Sequence, residues 1–205
     1  MMGFDRKEQH RQQQRQDILD AAEAVFAQQG YHKTTMDTVA ESCGWSKGTL
    51  YLHFEHKEDL FFSILISKMQ NLANQVIQGL KVTHSLEEIL DTLLGVQFDF
   101  FRQNENFFQL GIAEQGKVMH GSSSGLREQM LEQQTAFIVK VTEKIAVHLD
   151  QNSPVTAFTF ARALTGAINV HMIAWLLESE STDLDQIKIE LKELFLNGIL
   201  PYKKH

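Results

Sequence analysis

Gly44-Trp45-Ser46-Lys47-Gly48-Thr49-Leu50-Tyr51-Leu52-His53-Phe54 opens on a helix-stopping glycine and continues into a short polar helix with Leu50 as its inward residue. Ser46 is placed to cap that helix, which runs over Lys47–His53. Ahead of it Met36, Val39, Ala40 and Cys43 recur at helical spacing and define a second short helix, interrupted by Gly44. Thr34 with Asp37 fits a capping box, and Thr35 is an equally good N-cap. Further upstream Ile18, Leu19, Ala22, Val25 and Phe26 mark a first amphipathic helix over about residues 11–29, stopped by Gly30. Three short helices with a glycine in the tight turn have the geometry of a helix-turn-helix.

Val39 and Ala40 packed on Leu50 leave Lys47, Gly48, Thr49, Tyr51 and His53 facing outward. The side chains suit a duplex. Lys47 is a long cation able to reach a guanine edge or a phosphate. Gly48 admits close backbone approach, and Thr49 suits a phosphate or a thymine methyl. Tyr51 and His53 are donors for the DNA backbone, and Lys57 at the next helix start adds a charge.

The ordered set Gly30-Tyr31-His32-Lys33-Thr34-Thr35-Met36, Val39-Ala40, the segment 44–54 quoted above, Lys57 and Leu60 resembles the signature of the tetracycline-repressor (TetR) family. The resemblance covers about the first quarter of the chain. It implies that Thr35, Tyr51, His53 and Lys57 contact phosphates, while Lys47, Gly48 and Thr49 lie nearest the bases. Ser46 and Trp45 complete the DNA-binding set. An aliphatic residue is commoner in the family at the position of Trp45, which either packs in the turn or lies against the DNA backbone.

The 205-residue chain is long enough to bury a substantial core, and 43% apolar with 22% charged residues is ordinary for a globular protein. Two prolines and no strand pattern favour an all-α fold of about nine helices. A net charge of -7 argues against indiscriminate coating of nucleic acid, but residues 1–16 are locally positive. The single cysteine, Cys43, excludes an intramolecular disulfide and fits a reducing compartment; its phase on the second helix makes it a small buried residue rather than a redox sensor. No signal peptide is evident in the polar start. Apolar runs such as residues 60–66 are too short to span a bilayer, so the expected location is cytoplasmic with no membrane partner.

Further helices are expected over about residues 57–80, from the capping box Ser85 and Glu88 to 103, over 106–115, 126–149 and 153–178, and from Asp183 to about 198–201. Residues 121–125 read as a loop, and Ser153-Pro154 as a cap followed by proline at the first helical position. The expected organisation is a helix-turn-helix DNA-binding domain over 1–56 and a helical effector-binding and dimerisation domain over 57–205.

Residues 155–177 are apolar nearly all round, with Thr159, Arg162 and Asn169 as a thin polar stripe. Gly166, Ala163, Ala167 and Ala174 allow close helix approach. With the last helix (Ile187, Leu191, Leu194, Phe195 and Gly198) this segment either completes a two-fold four-helix interface or is core of a monomer. A dimer is expected, because operator half-sites require two recognition helices. Phe98, Phe101, Phe108, Met119, Phe137 and Trp175, with His171 as a polar handle, either line an effector pocket or are plain core. The histidines form no close-spaced metal motif, and no cofactor is expected.

The expected function is a repressor of transcription, released from double-stranded operator DNA by a small hydrophobic or aromatic effector. The alternative is a nucleoid or cell-division accessory protein of the same architecture, controlled by a protein partner. No nucleophile–base pair, metal spacing or phosphate loop calls for an enzyme.

Overall fold

The computed structural model describes residues 2–81, 83–118, 124–150, 152–178 and 183–198. Among them the chain is all-α, with nine helices: α1 (Met2–Lys33), α2 (Met36–Cys43), α3 (Lys47–His53), α4 (Lys57–Gly79), α5 (Leu86–Gln103), α6 (Glu105–Val118), α7 (Ser124–Ala146), α8 (Ala157–Leu177) and α9 (Leu184–Asn197). It divides into two compact units. The first comprises Met1–Lys68 and Asn106–Met130; the second comprises Met69–Glu105 and Leu131–His205. The boundary falls within α4, after the first residue of α6, and within α7.

The first unit is organised around α1, α2 and α3. Ile18, Leu19, Ala22, Val25 and Phe26 of α1 bury one stripe against Met36, Val39 and Ala40 of α2, Leu50 of α3, and Leu60, Phe61 and Ile64 of α4. Phe61 sits among rings, 5.1 Å from Phe26 and 5.1 Å from Phe107 by centroid. The expected stop of the first helix shows as a backbone break at Gly30 (φ 74°, ψ 169°), after which Tyr31–Lys33 form one further turn. α1 starts well before residue 11, however. Residues 5–16 are polar throughout, so hydrophobic periodicity does not mark these turns.

Of the two capping choices for α2, Thr35 is the N-cap, in a capping box with Thr38. Thr34 is fully buried and donates its hydroxyl to the carbonyl of Gly30 at 2.8 Å. Its pairing with Asp37 as a capping box is therefore corrected. Cys43 is half-buried against the same core.

In the second unit α5 packs on α8 and α9. Ser85 and Glu88 form the expected capping box, and Asp183 caps α9. Lys192 of α9 meets Glu87 and Asp91 of α5, each at 2.9 Å. The start of α8 differs from the expectation. Thr156 is the N-cap, accepting from the Thr159 amide, while Ser153 closes a turn onto Val155. Proline at 154 thus precedes the helix rather than opening it. The predicted loop at residues 121–125 falls largely outside the described residues; the last two of them are the first turn of α7.

α8 buries Ala161, Leu164, Thr165, Ile168, Met172, Trp175 and Leu176. Its other side exposes Val170 (66%), Ile173 (50%) and Leu177 (64%), spaced three and four apart on one stripe. Ala163, Gly166 and Ala174 are exposed on the same helix. By length and composition alone, α8 is apolar enough to cross a membrane, with a mean hydropathy of 1.3. The sequence expectation that every apolar run is too short is corrected on that point.

Candidate nucleic-acid interface

A seven-residue helix such as α3 is not stable alone, since one nucleated turn fixes several residues for few hydrogen bonds. Three local features hold it. Ser46 caps it by accepting from the Thr49 amide at 3.1 Å, and the Ser46 and Thr49 hydroxyls are 2.8 Å apart. The Phe54 amide donates to the carbonyl of Leu50 and closes the C-terminus. Leu50 itself is completely buried, a contribution of about 1.5–3 kcal/mol. The turn between α2 and α3 rests on Gly44, whose left-handed backbone (φ 69°, ψ 14°) a side chain would strain.

The rest of α3 faces outward. Lys47 and Gly48 are exposed, Thr49 is half-buried, and Tyr51 is 48% exposed. The most exposed large apolar side chain here is Leu52, at 84%. It was absent from the sequence-derived set, although its position two residues past the inward Leu50 sends it to the opposite face of the helix. An exposed leucine between a tyrosine and a histidine offers apolar contact to a thymine methyl.

Both lysines of the expected set have partners within the protein. Lys47 Nζ lies 2.6 Å from Asp37 Oδ1, and this hydrogen-bonded carboxylate raises the Lys47 pKa. Lys57 is engaged with the end of α1. Its Nζ donates to the carbonyl of Tyr31 at 2.8 Å and lies 4.4 Å from the Tyr31 ring centroid. It closes the C-terminal end of α1 in the way cations commonly satisfy helix carbonyls. Thr35 is exposed, with its hydroxyl engaged in the α2 cap.

Trp45 is half-buried against the core and meets the His10 ring edge-on at 6.5 Å. Packing, one of its two expected roles, is thus accounted for. His53 is half-buried, and its pKa is lowered first by burial and then by the guanidinium charges of Arg11 and Arg15.

The expected effector residues distribute over both units. Phe98, Phe101 and Trp175 are buried in the second, where Phe137 and His171 are half-buried. Phe108 is buried in the first, edge-on to Phe107 at 6.4 Å. Met119 lies outside the described residues.

Comparison with known proteins agrees with this geometry. Residues 18–64 match the model of bacterial regulatory proteins of the tetR family. Over 186 residues, 89% of this chain and 93% of the relative, the sequence is 25% identical to the fatty acid metabolism regulator protein of Bacillus subtilis. The fold is similar to that of the transcriptional regulator FadR from Bacillus subtilis, solved in complex with stearoyl-CoA (TM-score 0.67, 22% identity, covering 90% of this chain and 98% of that one). It is also similar to that of the repressor FadR from Thermus thermophilus, in complex with lauroyl-CoA (TM-score 0.67, 18% identity, covering 91% and 95%). With capped α3 inside the matched segment and similarity running nearly the full length, the chain carries a tetR-type regulatory segment over residues 18–64 and resembles bacterial transcriptional regulators of that family along most of its length.

Proposed function

We propose that the chain is a dimeric, cytoplasmic repressor that leaves its operator when a hydrophobic acyl ligand, such as a long-chain acyl-CoA, binds the helical domain over residues 57–205. The observation that carries this reading is the similarity to the fatty acid metabolism regulator of Bacillus subtilis over 89% of the chain. Two acyl-CoA-bound regulators of the same fold support it. The apolar content of α5 and α8, with Phe98, Phe101 and Trp175 buried and Phe137 and His171 half-buried in the same unit, supplies side chains of suitable chemistry. Residues 1–56 form the reading head: Lys47, Gly48, Thr49 and Leu52 face bases, and Thr35, Ser46, Tyr51 and His53 hold phosphates.

Pairing through α8 and α9 gives the stripe of Val170, Ile173 and Leu177 a cover, and the exposed Gly166 and Ala163 allow a second helix to approach closely. Release follows if the ligand prefers a conformation in which α4, which carries residues of both units, holds the two reading heads at the wrong separation.

The test is fluorescence anisotropy on duplexes from the region upstream of the gene, titrated with stearoyl-CoA, lauroyl-CoA and free CoA. The expected result is binding without ligand and release by the acyl-CoAs but not by CoA. Binding that no acyl-CoA alters contradicts the effector assignment. It would favour control by a protein partner.

A further inference from the structure

The first turns of α1 precede the segment that matches the family, and hydrophobic periodicity assigns them nothing. Residues 6–16 carry Arg6, Lys7, Arg11 and Arg15 against Glu8 alone, in a chain whose net charge is -7. Cations concentrated there call for an explanation. Lys7, Arg11 and Arg15 recur every four residues, so they share one stripe, about 12 Å long at 1.5 Å per residue.

Two contacts fix where this stripe lies. The Arg15 guanidinium sits over the Phe54 ring, 5.0 Å from its centroid, and Phe54 is the C-cap of α3. The His10 ring meets Trp45, which immediately precedes Ser46, the N-cap of α3. The α1 segment over residues 10–15 therefore flanks α3 from one end to the other. Arg11 lies between these contacts in sequence, and its charge, with that of Arg15, is felt at His53. Its partner is Glu8 on its own helix, at 3.2 Å; both side chains are exposed, so the pair holds Arg11 weakly. Lys7 is exposed one turn earlier.

We propose that the first turns of α1 are a second phosphate-binding element, in which Lys7 and Arg11 grip the DNA backbone beside the recognition helix while Arg15 fixes the stripe against α3. This rests on the reading that α3 enters DNA. It adds a sequence-independent hold to a protein whose overall charge opposes polyanion binding, and Glu8 tempers that hold.

The experiment measures binding of the full chain to a 30-base-pair duplex of arbitrary sequence by anisotropy, across a series of salt concentrations. Three proteins are compared: wild type, the double variant Lys7→Ala/Arg11→Ala, and Glu8→Gln. Each phosphate contact contributes a slope of about -0.9 in log K against log salt. The double variant is expected to bind more than tenfold more weakly at low salt, with a slope shallower by about 1.8 per engaged protomer. Glu8→Gln is expected to bind at least twofold more tightly, a gain that a purely structural role for the stripe does not produce. Wild-type binding with an unchanged slope in the double variant overturns the inference and leaves the α3 reading intact. A wild type that binds neither this duplex nor its own upstream DNA overturns both.

Discussion

Lys47 and Asp37 stand 2.6 Å apart, the first residue of α3 held by a carboxylate of α2. Both side chains are more than half exposed, so the pair is weak in stability terms. Its consequence is for binding. On the proposed role of α3, Asp37 occupies a cation that would meet DNA, and its own negative charge would oppose incoming phosphates. Asp37→Asn is expected to tighten binding to arbitrary-sequence DNA several-fold while leaving the melting temperature nearly unchanged. Anisotropy and thermal unfolding monitored by circular dichroism check the two halves.

Leu50 and Leu52 are two residues apart and predict opposite phenotypes. Leu50 is completely buried, so Leu50→Ala is expected to cost about 2–5 kcal/mol of stability and to remove DNA binding with the loss of α3. Leu52 is 84% exposed, so Leu52→Ala is expected to change stability by less than about 0.5 kcal/mol. It should nonetheless weaken binding to the operator. Denaturant melts and anisotropy on the same preparations separate the two effects.

His53 gives a pH dependence with a definite sign. Burial, then Arg11 and Arg15, place its pKa below the ordinary 6.5 in the folded protein. The unfolded chain then binds more protons than the folded one between the two values, so stability rises with pH across that window. The contribution is fully present above 6.5 and is lost as pH falls through the folded pKa. An NMR titration of the His53 ring is expected to show a midpoint below 6.5 that moves upward in Arg11→Gln. A phosphate beside the ring favours its protonated form, so DNA should also raise that midpoint.

The exposed stripe of α8 predicts the state of assembly. Val170→Asp/Ile173→Asp places two charges on the face that pairing is to bury. Light scattering is expected to show a dimer for wild type and a monomer for the variant, with operator affinity falling because one head alone reads one half-site. A wild-type monomer at micromolar concentration would contradict the assignment.

How far the sequence is legible follows from which forces act locally. The caps at Ser46, Ser85 and Asp183 are short-range hydrogen bonds, and each stands where its spacing places it. Leu50 was recognisable as inward, because only one phase of a short helix buries an apolar residue between capped ends. Polar turns leave no such signal, and the start of α1 was missed for that reason. The cap of α8 was misplaced because Ser153-Pro154 and Thr156 are both competent starts, and tertiary packing selects between them. The engagement of Lys57 with the Tyr31 carbonyl spans 26 residues, a contact that local pattern does not reveal. Leu52 was overlooked because a leucine in a helix is ordinarily read as core. Its exposure emerges only once Leu50 is fixed as the inward position.

The proposed function depends most directly on what α3 does. Wild type and Lys47→Ala/Thr49→Ala are to be compared on duplexes tiling the gene's upstream region, in a background of arbitrary competitor DNA. Wild type is expected to select one duplex, and the variant, with unchanged helicity, to lose this selectivity while keeping most of its salt-dependent background binding. If the wild type selects no duplex, or if the variant selects as well as the wild type does, α3 is not the reading element.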